Sequence, residues 1–351
     1  MRALIFASLL VSYICPVQAQ AQTAKFCQSA TQKLYRDQFM KIGGIEQWLT
    51  VRGERCDNPV ILFLHGGPAN PLSPYAEAIY AAWQKDFTIV HWDQRGAGQT
   101  FIRNPATGRS AVSITQMRED GREVVRFVQE SRGKAKIILM GGSWGSVLGI
   151  HMVKAQPELF DAYIGTSQLV SYQLNPSASY QKTLQVAQAA NDQSSVKALQ
   201  EIGAPPWKNP RSYGILRRIT KTYEAKTTTP APKHWWMPAA FYDNAEVQQQ
   251  YEAAEDYSFM QFIGMKNDGM YSAVDLPKLG TQFKLPVFFV QGEEDLVTLP
   301  KVSKGYYDSI QAPKKDYVLV PKAGHNPNQA SLDAEWKILT EQVLPMLAKK
   351  Q

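Results

Sequence analysis

The chain has 351 residues, of which 44% are hydrophobic and 20% are charged, and its formal net charge is +7. This length fits one large α/β domain with an insertion or two ordinary domains, and the composition is that of a soluble globular protein with ample core. The lysines and arginines are spread singly and in pairs along the chain, which argues against nucleic-acid binding.

The N-terminus has the pattern of a secretory signal peptide. Met1-Arg2 is a short positive start, and the apolar run over residues 3–14 is too short to span a bilayer comfortably. Small residues between Val17 and Ala21 suit cleavage by signal peptidase, so residues 1–21 are predicted to be removed. An uncleaved anchor is the alternative. We expect a periplasmic or secreted protein without stable membrane insertion, because no later segment is long and apolar enough for a span.

Removal of the signal takes away Cys15 and leaves two cysteines, Cys27 and Cys56. In an oxidising compartment this pair can form a disulfide, which for a loop of this length is worth about 3 kcal/mol. Two free thiols are the alternative, because sequence spacing does not show proximity. The two cysteines lack companions for a tetrahedral metal site, and no metal or organic cofactor is expected.

Buried strands alternate with helices as far as residue 166. Residues 23–44 are predicted to be a lead-in of mixed character, and residues 45–51 an antiparallel edge strand. Continuous apolar runs, typical of strands covered on both faces, occupy residues 59–64, 87–90, 136–140 and 162–166. Helices are predicted over residues 76–83, from a capping box at Ser113 to Gly133, and over residues 147–153. This alternation predicts a parallel sheet whose sites lie at the carboxyl ends of the strands.

The alternation stops between residues 167 and 282, where helical patches such as 187–200 and 244–262 occur without a convincing buried strand. We interpret this region as an inserted helical cap whose aromatic residues mostly pack within the cap. The sheet resumes over residues 286–291 and 317–320, and a helix over residues 331–348 closes the chain. The predicted organisation is a signal peptide (1–21), a first core part (22–166), the cap (167–282) and a second core part (283–351).

A single serine lies in the turn between the strand at residues 136–140 and the helix that follows. Gly141-Gly142-Ser143-Trp144-Gly145 fits G-x-S-x-G, the nucleophile elbow, in which the serine lies on a strained strand-to-helix turn. Glycine is expected on either side of the serine because a Cβ there would collide with the neighbouring strand and helix.

A serine hydroxyl needs a base within hydrogen-bond reach and an acid that orients the base. By elimination among five histidines the base is His325, in the loop after the last strand, with a surface histidine as the alternative. The acid is Asp295, with Glu293 and Glu294 as weaker candidates. The oxyanion needs two N–H donors, for which the backbone amides of Trp144 and Gly67 are predicted. The histidines that were eliminated are His65, His91, His151 and His234.

Five motifs, in this order along the chain, resemble those of the proline iminopeptidases, serine aminopeptidases of family S33 with the α/β-hydrolase fold. The motifs are His65-Gly66-Gly67-Pro68, the stretch Trp92–Gly98, the stretch Gly141–Ser146, Gly292 with Asp295, and Gly324-His325. The resemblance covers residues 45–166 and 283–346. It implies a catalytic triad of Ser143, Asp295 and His325, the oxyanion donors Trp144 and Gly67, and release of N-terminal residues, commonly proline, from small peptides. It further implies structural roles for Asp93 and Arg95, while His65 is expected to brace its loop.

The sequence departs from the family pattern in two places. Ala69 and Asn70 follow Pro68, where the family has glycine next. The tryptophan-rich cap motif whose glutamates bind the substrate's free amine is not found, and no residue is singled out among Glu201, Glu252, Glu255 and Asp256. A carboxylesterase or amidase using the same triad, and a non-catalytic binding protein on this fold, remain alternatives to the aminopeptidase. The substrate-binding residues and the oligomeric state are not predicted.

Overall fold

The computed structural model describes residues 26–105, 112–133 and 136–349, so the predicted signal peptide at residues 1–21 lies outside the described residues. In this part of the chain eight strands form one sheet. They are β1 (Leu34–Ile42), β2 (Ile45–Gly53), β3 (Val60–Leu64), β4 (Thr88–Asp93), β5 (Ile137–Gly142), β6 (Phe160–Thr166), β7 (Val287–Gly292) and β8 (Lys315–Val320).

The sheet is mostly parallel, which confirms the predicted α/β-hydrolase fold class. Its order over the described residues is β1-β2-β4-β3-β5-β6-β7-β8. β2 pairs antiparallel with both β1 and β4, and each remaining pair of neighbours is parallel. The carboxyl ends of the parallel strands therefore meet at one edge of the sheet, which is where sites form in such folds.

The prediction for the N-terminal part of the sheet was wrong in two respects. Leu34–Ile42, within the predicted lead-in, is the strand β1, and β2 is consequently an inner strand rather than the edge. Of the nine residues of β1, only Leu34 and Ile42 at its ends are buried. An edge strand with so little burial has no alternation of apolar and polar residues to reveal it.

The central strands are covered on both faces, as their continuous apolar runs predict. Every residue of β3, β4 and β7 is buried. One apolar layer includes Val147 and Leu148 of the helix after the serine turn, and the other includes Phe63, Tyr80 and Leu332. The sheet is therefore the centre of two apolar layers, and its carboxyl edge is held rigidly between them.

Helices lie at each predicted position of the core, and two more, over Gly98–Arg103 and Pro300–Ser309, were not predicted. Ser113 accepts a hydrogen bond from the backbone of Gln116 at 3.1 Å and Gly133 ends the helix in a left-handed conformation, so the predicted N-cap and helix end are confirmed. The reciprocal half of the capping box is not seen, because the Gln116 side chain donates to Asp120 Oδ1 at 2.7 Å. The core helices are α1 (Ala76–Tyr80), α2 (Gly98–Arg103), α3 (Ile114–Arg132), α4 (Trp144–Ala155), α9 (Pro300–Ser309), α10 (Gln329–Lys337) and α11 (Leu344–Ala348).

Two predicted helices are built from unequal segments. The helix expected over residues 76–83 is α1 followed by a 3₁₀ segment over Ala81–Lys85. The closing helix expected over residues 331–348 is α10 and α11 joined by a π-helical segment, Ile338–Val343. Periodicity places such helices but does not distinguish their hydrogen-bond registers.

Helices fill the chain between the end of β6 and the start of β7. They are α5 (Leu174–Ala189), α6 (Gln193–Ile202), α7 (Arg211–Thr227) and α8 (Ala245–Ile263). The patch expected over residues 187–200 spans a break, because Asp192 caps α6 through the backbone of Ser195. Tyr180, Trp207, Leu216 and Tyr223 form an apolar cluster with Leu296 of the core. The whole region between β6 and β7, which contains these four helices, is called the cap.

Cys27 and Cys56 are joined by a disulfide, which ties the chain before β1 to the loop after β2. Next to it, Phe26 packs edge-on against Phe127 of α3. No helix within the described residues combines the length and apolarity that a membrane span requires.

Candidate active site

Ser143 lies at the turn between β5 and α4 with φ 52° and ψ −119°. A positive φ is rare for a residue with a side chain and marks local strain of the kind found at functional turns. The backbone amide of Ser143 donates to Thr166 O at 3.1 Å, and Ser146 Oγ donates to Ser143 O at 2.6 Å. The turn is thus held from both sides, with the serine side chain lining a cavity.

A Cβ on either of the glycines that flank the serine would collide with neighbouring backbone, as expected. A Cβ placed on Gly141 would lie 2.4 Å from the carbonyl oxygen of Gly145 in α4. One placed on Gly145 would lie 2.0 Å from the carbonyl oxygen of Leu64 at the end of β3. Both distances are far below van der Waals contact, so only glycine lets strand, turn and helix approach this closely.

The structure brings Ser143, His325 and Asp295 together. His325 Nε2 lies 3.0 Å from Ser143 Oγ, and His325 Nδ1 lies 3.1 and 3.2 Å from the two carboxylate oxygens of Asp295. When Nδ1 carries the proton and donates to Asp295, Nε2 is the acceptor for the serine hydroxyl. This arrangement is able to remove a proton from the serine.

Asp295 is fully enclosed and remains ionised. Its oxygens accept hydrogen bonds from the backbone amides of Val297 and Thr298 at 2.8 Å, the Thr298 hydroxyl at 2.6 Å and Gln291 Nε2 at 2.8 Å. Burial alone would raise the pKa of this carboxyl, but the charge of His325 and the hydrogen bonds from His325 and Thr298 lower it well below its usual range. Asp295 is therefore a carboxylate at neutral pH and orients the imidazole.

The weaker candidates for the acid lie elsewhere. The backbone amides of Glu293 and Glu294 donate to Val320 and Ala323 respectively, and the Glu293 side chain is exposed. The contacts of His325 Nδ1 within the described residues are with Asp295 and Thr298. Three other histidines also lie away from this contact: His91 is buried in β4, His151 is half-buried in α4 and His234 is exposed in the cap.

The loop that carries Gly67 passes directly beside the serine. A Cβ placed on Gly66 would lie 3.2 Å from Ser143 Cβ. Gly67 itself has φ +104°, which glycine adopts without strain. Within the described residues, no acceptor is recorded for the backbone amides of Gly67 and Trp144. Two free N–H donors on either side of a nucleophile are suited to an oxyanion.

His65 braces this loop, as expected. Its Nε2 accepts a hydrogen bond from the backbone amide of Gln94 at 3.1 Å, and its carbonyl oxygen accepts one from Gln94 Nε2 at 3.1 Å. Gln94 also accepts from Trp144 Nε1 at 2.9 Å. Burial lowers the pKa of His65 to about 4, so the ring is neutral at physiological pH. Gln94 thereby links the two segments that carry the candidate oxyanion donors.

Asp93 and Arg95 have the structural contacts that the resemblance implies. Asp93 accepts from Ser73 Oγ at 2.5 Å and from the backbone of Gln99 at 2.9 Å, and burial raises the pKa of Asp93 to about 7. Arg95 donates to the buried carboxylate of Asp120 at 2.8 Å. Both residues hold the loop after β4 in place.

A cap residue contacts both loops that hold the histidine and the acid. Glu224 of α7 accepts a hydrogen bond from the backbone of Leu296 at 2.8 Å and from the backbone of His325 at 3.4 Å. Burial raises the pKa of Glu224, and the negative charge of Asp295 raises it further. Glu224 therefore links the cap to the residues next to Asp295 and to His325 itself.

The cavity has a volume of about 1200 Å³ and lies between the cap and the carboxyl edge of the sheet. Glu252 and Glu255 of α8 line it, whereas Glu201 and Asp256 do not. More cap aromatic residues face the cavity than we expected, because α7 and α8 lie directly across it from the sheet. The cap aromatic residues that line it are Tyr213, Trp236, Tyr242, Tyr251, Phe259 and Phe262.

Sequence reasoning missed Thr298, Gln94 and Glu224. Thr298 follows Asp295 by three residues and caps it through backbone and hydroxyl, a spacing that could have indicated a side-chain-capped turn. Gln94 lies inside a motif that the resemblance includes. Glu224 carries no local signal, because its partners are more than 70 residues away in the sequence.

This chain is similar to a known protein family over most of its length. Residues 57–328 match the family model described as serine aminopeptidase, S33. The chain is 28% identical over 294 residues to a protein described as probable aminopeptidase YbaC of Bacillus subtilis (strain 168), covering 82% of this chain and 90% of that protein.

Two further similarities involve proline iminopeptidases. The chain is 27% identical over 139 residues to the enzyme of Lactobacillus delbrueckii subsp. bulgaricus, covering 39% of this chain but only 45% of that protein. The crystal structure of proline iminopeptidase from Mycobacterium smegmatis superposes with a TM-score of 0.60 and 19% identity, covering 90% of this chain and 100% of that one. At this level of identity the superposition shows a shared fold.

Proposed function

Because this chain belongs to the serine aminopeptidase family S33, we propose that it is an exported serine aminopeptidase that releases N-terminal residues from small peptides through an acyl-enzyme. The observation that carries the proposal is the contact of Ser143 Oγ with His325 Nε2 at 3.0 Å, with Asp295 behind the imidazole, at the wall of a large cavity. The likeness to a protein described as a probable aminopeptidase, over most of both chains, supports the same class of reaction.

The proposed reaction follows from this geometry. Ser143 Oγ attacks the carbonyl carbon of the first residue while His325 takes the hydroxyl proton. The negative oxygen of the tetrahedral intermediate is stabilised by the backbone amides of Gly67 and Trp144, the latter at the positive end of α4. His325 then gives its proton to the leaving amine. Water, activated by the same imidazole, hydrolyses the acyl-enzyme and frees the serine.

The charges around the cavity support a short peptide as substrate. Glu252 and Glu255 are one turn apart on α8 and both line the cavity, so a protonated amino terminus would meet carboxylates there. Arg217, Arg218 and Lys221 of α7 line it too, and they would attract the carboxylate of a short peptide. We therefore assign Glu252 and Glu255 to amine binding in this proposal.

Two features support the proposed export. The N-terminal residues 1–21 have the composition of a signal peptide. The disulfide between Cys27 and Cys56 is of a kind that persists in oxidising compartments such as the periplasm or the medium. Expression of the full chain, followed by fractionation and N-terminal sequencing, tests the proposal, and recovery of the intact N-terminus from the cytoplasm would contradict it.

The reaction is tested with the purified chain lacking residues 1–21, on prolyl, alanyl and leucyl arylamides, their N-acetylated forms and short p-nitrophenyl esters. We expect free-amine arylamides to be cleaved and the N-acetylated forms to be poor substrates. Faster cleavage of the esters than of every arylamide would instead support the carboxylesterase alternative.

Ser143→Ala should lower kcat by several orders of magnitude while circular dichroism and Tm remain those of the wild type. The matched control is Ser194→Ala, an exposed serine on α6, which should retain full activity. A fluorophosphonate probe should label the wild type and the control but not Ser143→Ala. Absence of labelling in the wild type would favour a non-catalytic binding protein.

A further inference from the structure

We propose that the cavity contains a second acidic subsite, formed by Glu335 and Tyr80 on its core side, that binds an alkylammonium or guanidinium group. The identification of this group as a lysine or arginine side chain of the substrate rests on the proposed aminopeptidase function. The subsite is distinct from Glu252 and Glu255, which line the cavity from the cap.

Glu335 is placed in the cavity by the packing of α10. This helix contacts β7 and β8, and Glu335 and Ser331 lie one turn apart on it and both line the cavity. Tyr80, the last residue of α1, lines the cavity as well. Glu335 is 4% exposed and Tyr80 is 5% exposed, so protein encloses most of each side chain.

The carboxyl group of Glu335 lacks a protein partner. Within residues 26–105, 112–133 and 136–349, it takes part in no recorded ion pair or side-chain hydrogen bond, and none is recorded for the Tyr80 hydroxyl. A buried carboxyl without a partner is costly, and natural proteins usually satisfy such groups. A group that lines a substrate cavity in this state is available to a ligand.

Burial is the cause that shifts the pKa of Glu335, raising it to about 8. The basic residues of α7 also line the cavity, and the ion pair of Arg217 is with Glu224 at 4.0 Å. The carboxyl is therefore mostly protonated at neutral pH while the subsite is empty. A cation entering the subsite would ionise it, and the two charges would pair in a region of low dielectric.

Aromatic side chains line the same cavity. The ring of Tyr80 lies 4.6 Å from that of Phe63, and the ring of Tyr75 lies 5.8 Å from that of Trp236. All four side chains line the cavity. Aromatic faces attract organic cations, and a carboxylate supplies the matching charge. This combination favours an alkylammonium or guanidinium group over a neutral aliphatic group of the same size.

Binding is tested without turnover, in the Ser143→Ala background. The probes are n-butylammonium and n-butylguanidinium, with 1-pentanol as the neutral probe, and the measurement is the ligand-induced shift of Tm. We expect the cations to raise Tm by several degrees and the alcohol to raise it much less. Most of the shift should be lost in Glu335→Gln, where only Glu252 and Glu255 remain to bind a cation. It should shrink in Tyr80→Phe and persist in Glu341→Gln, a matched change at an exposed glutamate six residues further along.

The substrate-level test compares arginyl with citrullinyl arylamide and lysyl with norleucyl arylamide, pairs of similar shape that differ in charge. The ratio of kcat/KM within each pair should exceed 10 in the wild type and in Glu341→Gln, and fall toward 1 in Glu335→Gln. Equal Tm shifts for cations and alcohol would overturn the subsite. So would a cation shift that survives in Glu335→Gln but is lost in Glu252→Gln or Glu255→Gln. Failure to cleave any arylamide would contradict the proposed function but not the subsite, because the Tm measurement does not depend on turnover.

Discussion

Replacing Gly145 by alanine tests how the serine turn is built. Gly145 is the second residue of α4, and its Cα faces the end of β3. An added Cβ would lie 2.0 Å from Leu64 O, 2.7 Å from Leu64 C and 2.8 Å from His65 O. These are backbone atoms, so no side chain can rotate away to make room.

The magnitude follows from these distances. Real Cβ atoms keep at least 3.0 Å from such neighbours, so α4 and the end of β3 must separate by about 1 Å. Overpacking of this kind costs roughly 1–3 kcal/mol of the free energy of unfolding. The displaced segment leads into Gly66 and Gly67 beside Ser143, and a shift of about 1 Å in catalytic groups costs about 100-fold in kcat.

The assay combines urea denaturation, which gives the free energy of unfolding, with kcat on the best arylamide or ester found for the wild type. Gly305→Ala is the matched control, because Gly305 lies exposed within α9 and an added Cβ meets nothing within 4 Å. This control should stabilise the protein by about 0.5–1 kcal/mol through helix propensity and leave kcat unchanged. A Gly145→Ala variant with wild-type stability and wild-type kcat would refute this account of the turn.

Three other predictions concern stability and coupling. Replacing Cys27 and Cys56 by serine should lower the free energy of unfolding by about 3–4 kcal/mol, because the disulfide closes a loop between residues 29 positions apart; equal urea midpoints would contradict this. Glu224→Gln leaves one of two backbone amides without an acceptor, so kcat should fall about tenfold whereas exposed Glu246→Gln should not change it. Because the folded pKa of Glu335 is raised from 4.5 to about 8, its contribution to stability is full below about pH 4.5 and is lost as the pH rises through 8. The free energy of unfolding of the wild type should therefore fall by up to roughly 5 kcal/mol across this window relative to that of Glu335→Gln. If the free energies of unfolding of the two proteins changed in parallel with pH, the pKa of Glu335 would not be raised in the folded state.

Local patterns in the sequence were sufficient for most of the sheet and for the serine turn. β3, β5 and β7 appear as continuous apolar runs because both faces of these strands are buried. The turn at Ser143 requires glycines within a few residues, so its signature is contained in five positions. The sequence of β1 shows no such pattern, because a sparsely buried edge strand does not need apolar residues at alternate positions.

The cap shows where local patterns become insufficient. Helical periodicity located α8 to within one residue at each end, because Asn244 caps it and Gly264 ends it. Periodicity did not show which carboxylates of the cap face the cavity, since Glu252, Glu255 and Asp256 lie on the same short stretch of helix. Their orientation depends on how α8 packs against the core, which only the tertiary structure shows.

The sequence by itself determined the residue types available for chemistry and their order along the chain: a serine on a glycine-flanked turn, an acid and a histidine after two later strands. Only the tertiary structure decided that Ser143 and His325, 182 residues apart, lie within hydrogen-bond distance. It also revealed Glu224 behind His325 and the unpartnered Glu335 on the wall of the cavity. The physical reason is that periodicity and turn chemistry record a residue's neighbours within about one helical turn, whereas burial, charge pairing and cavities depend on side chains that folding brings together from distant positions.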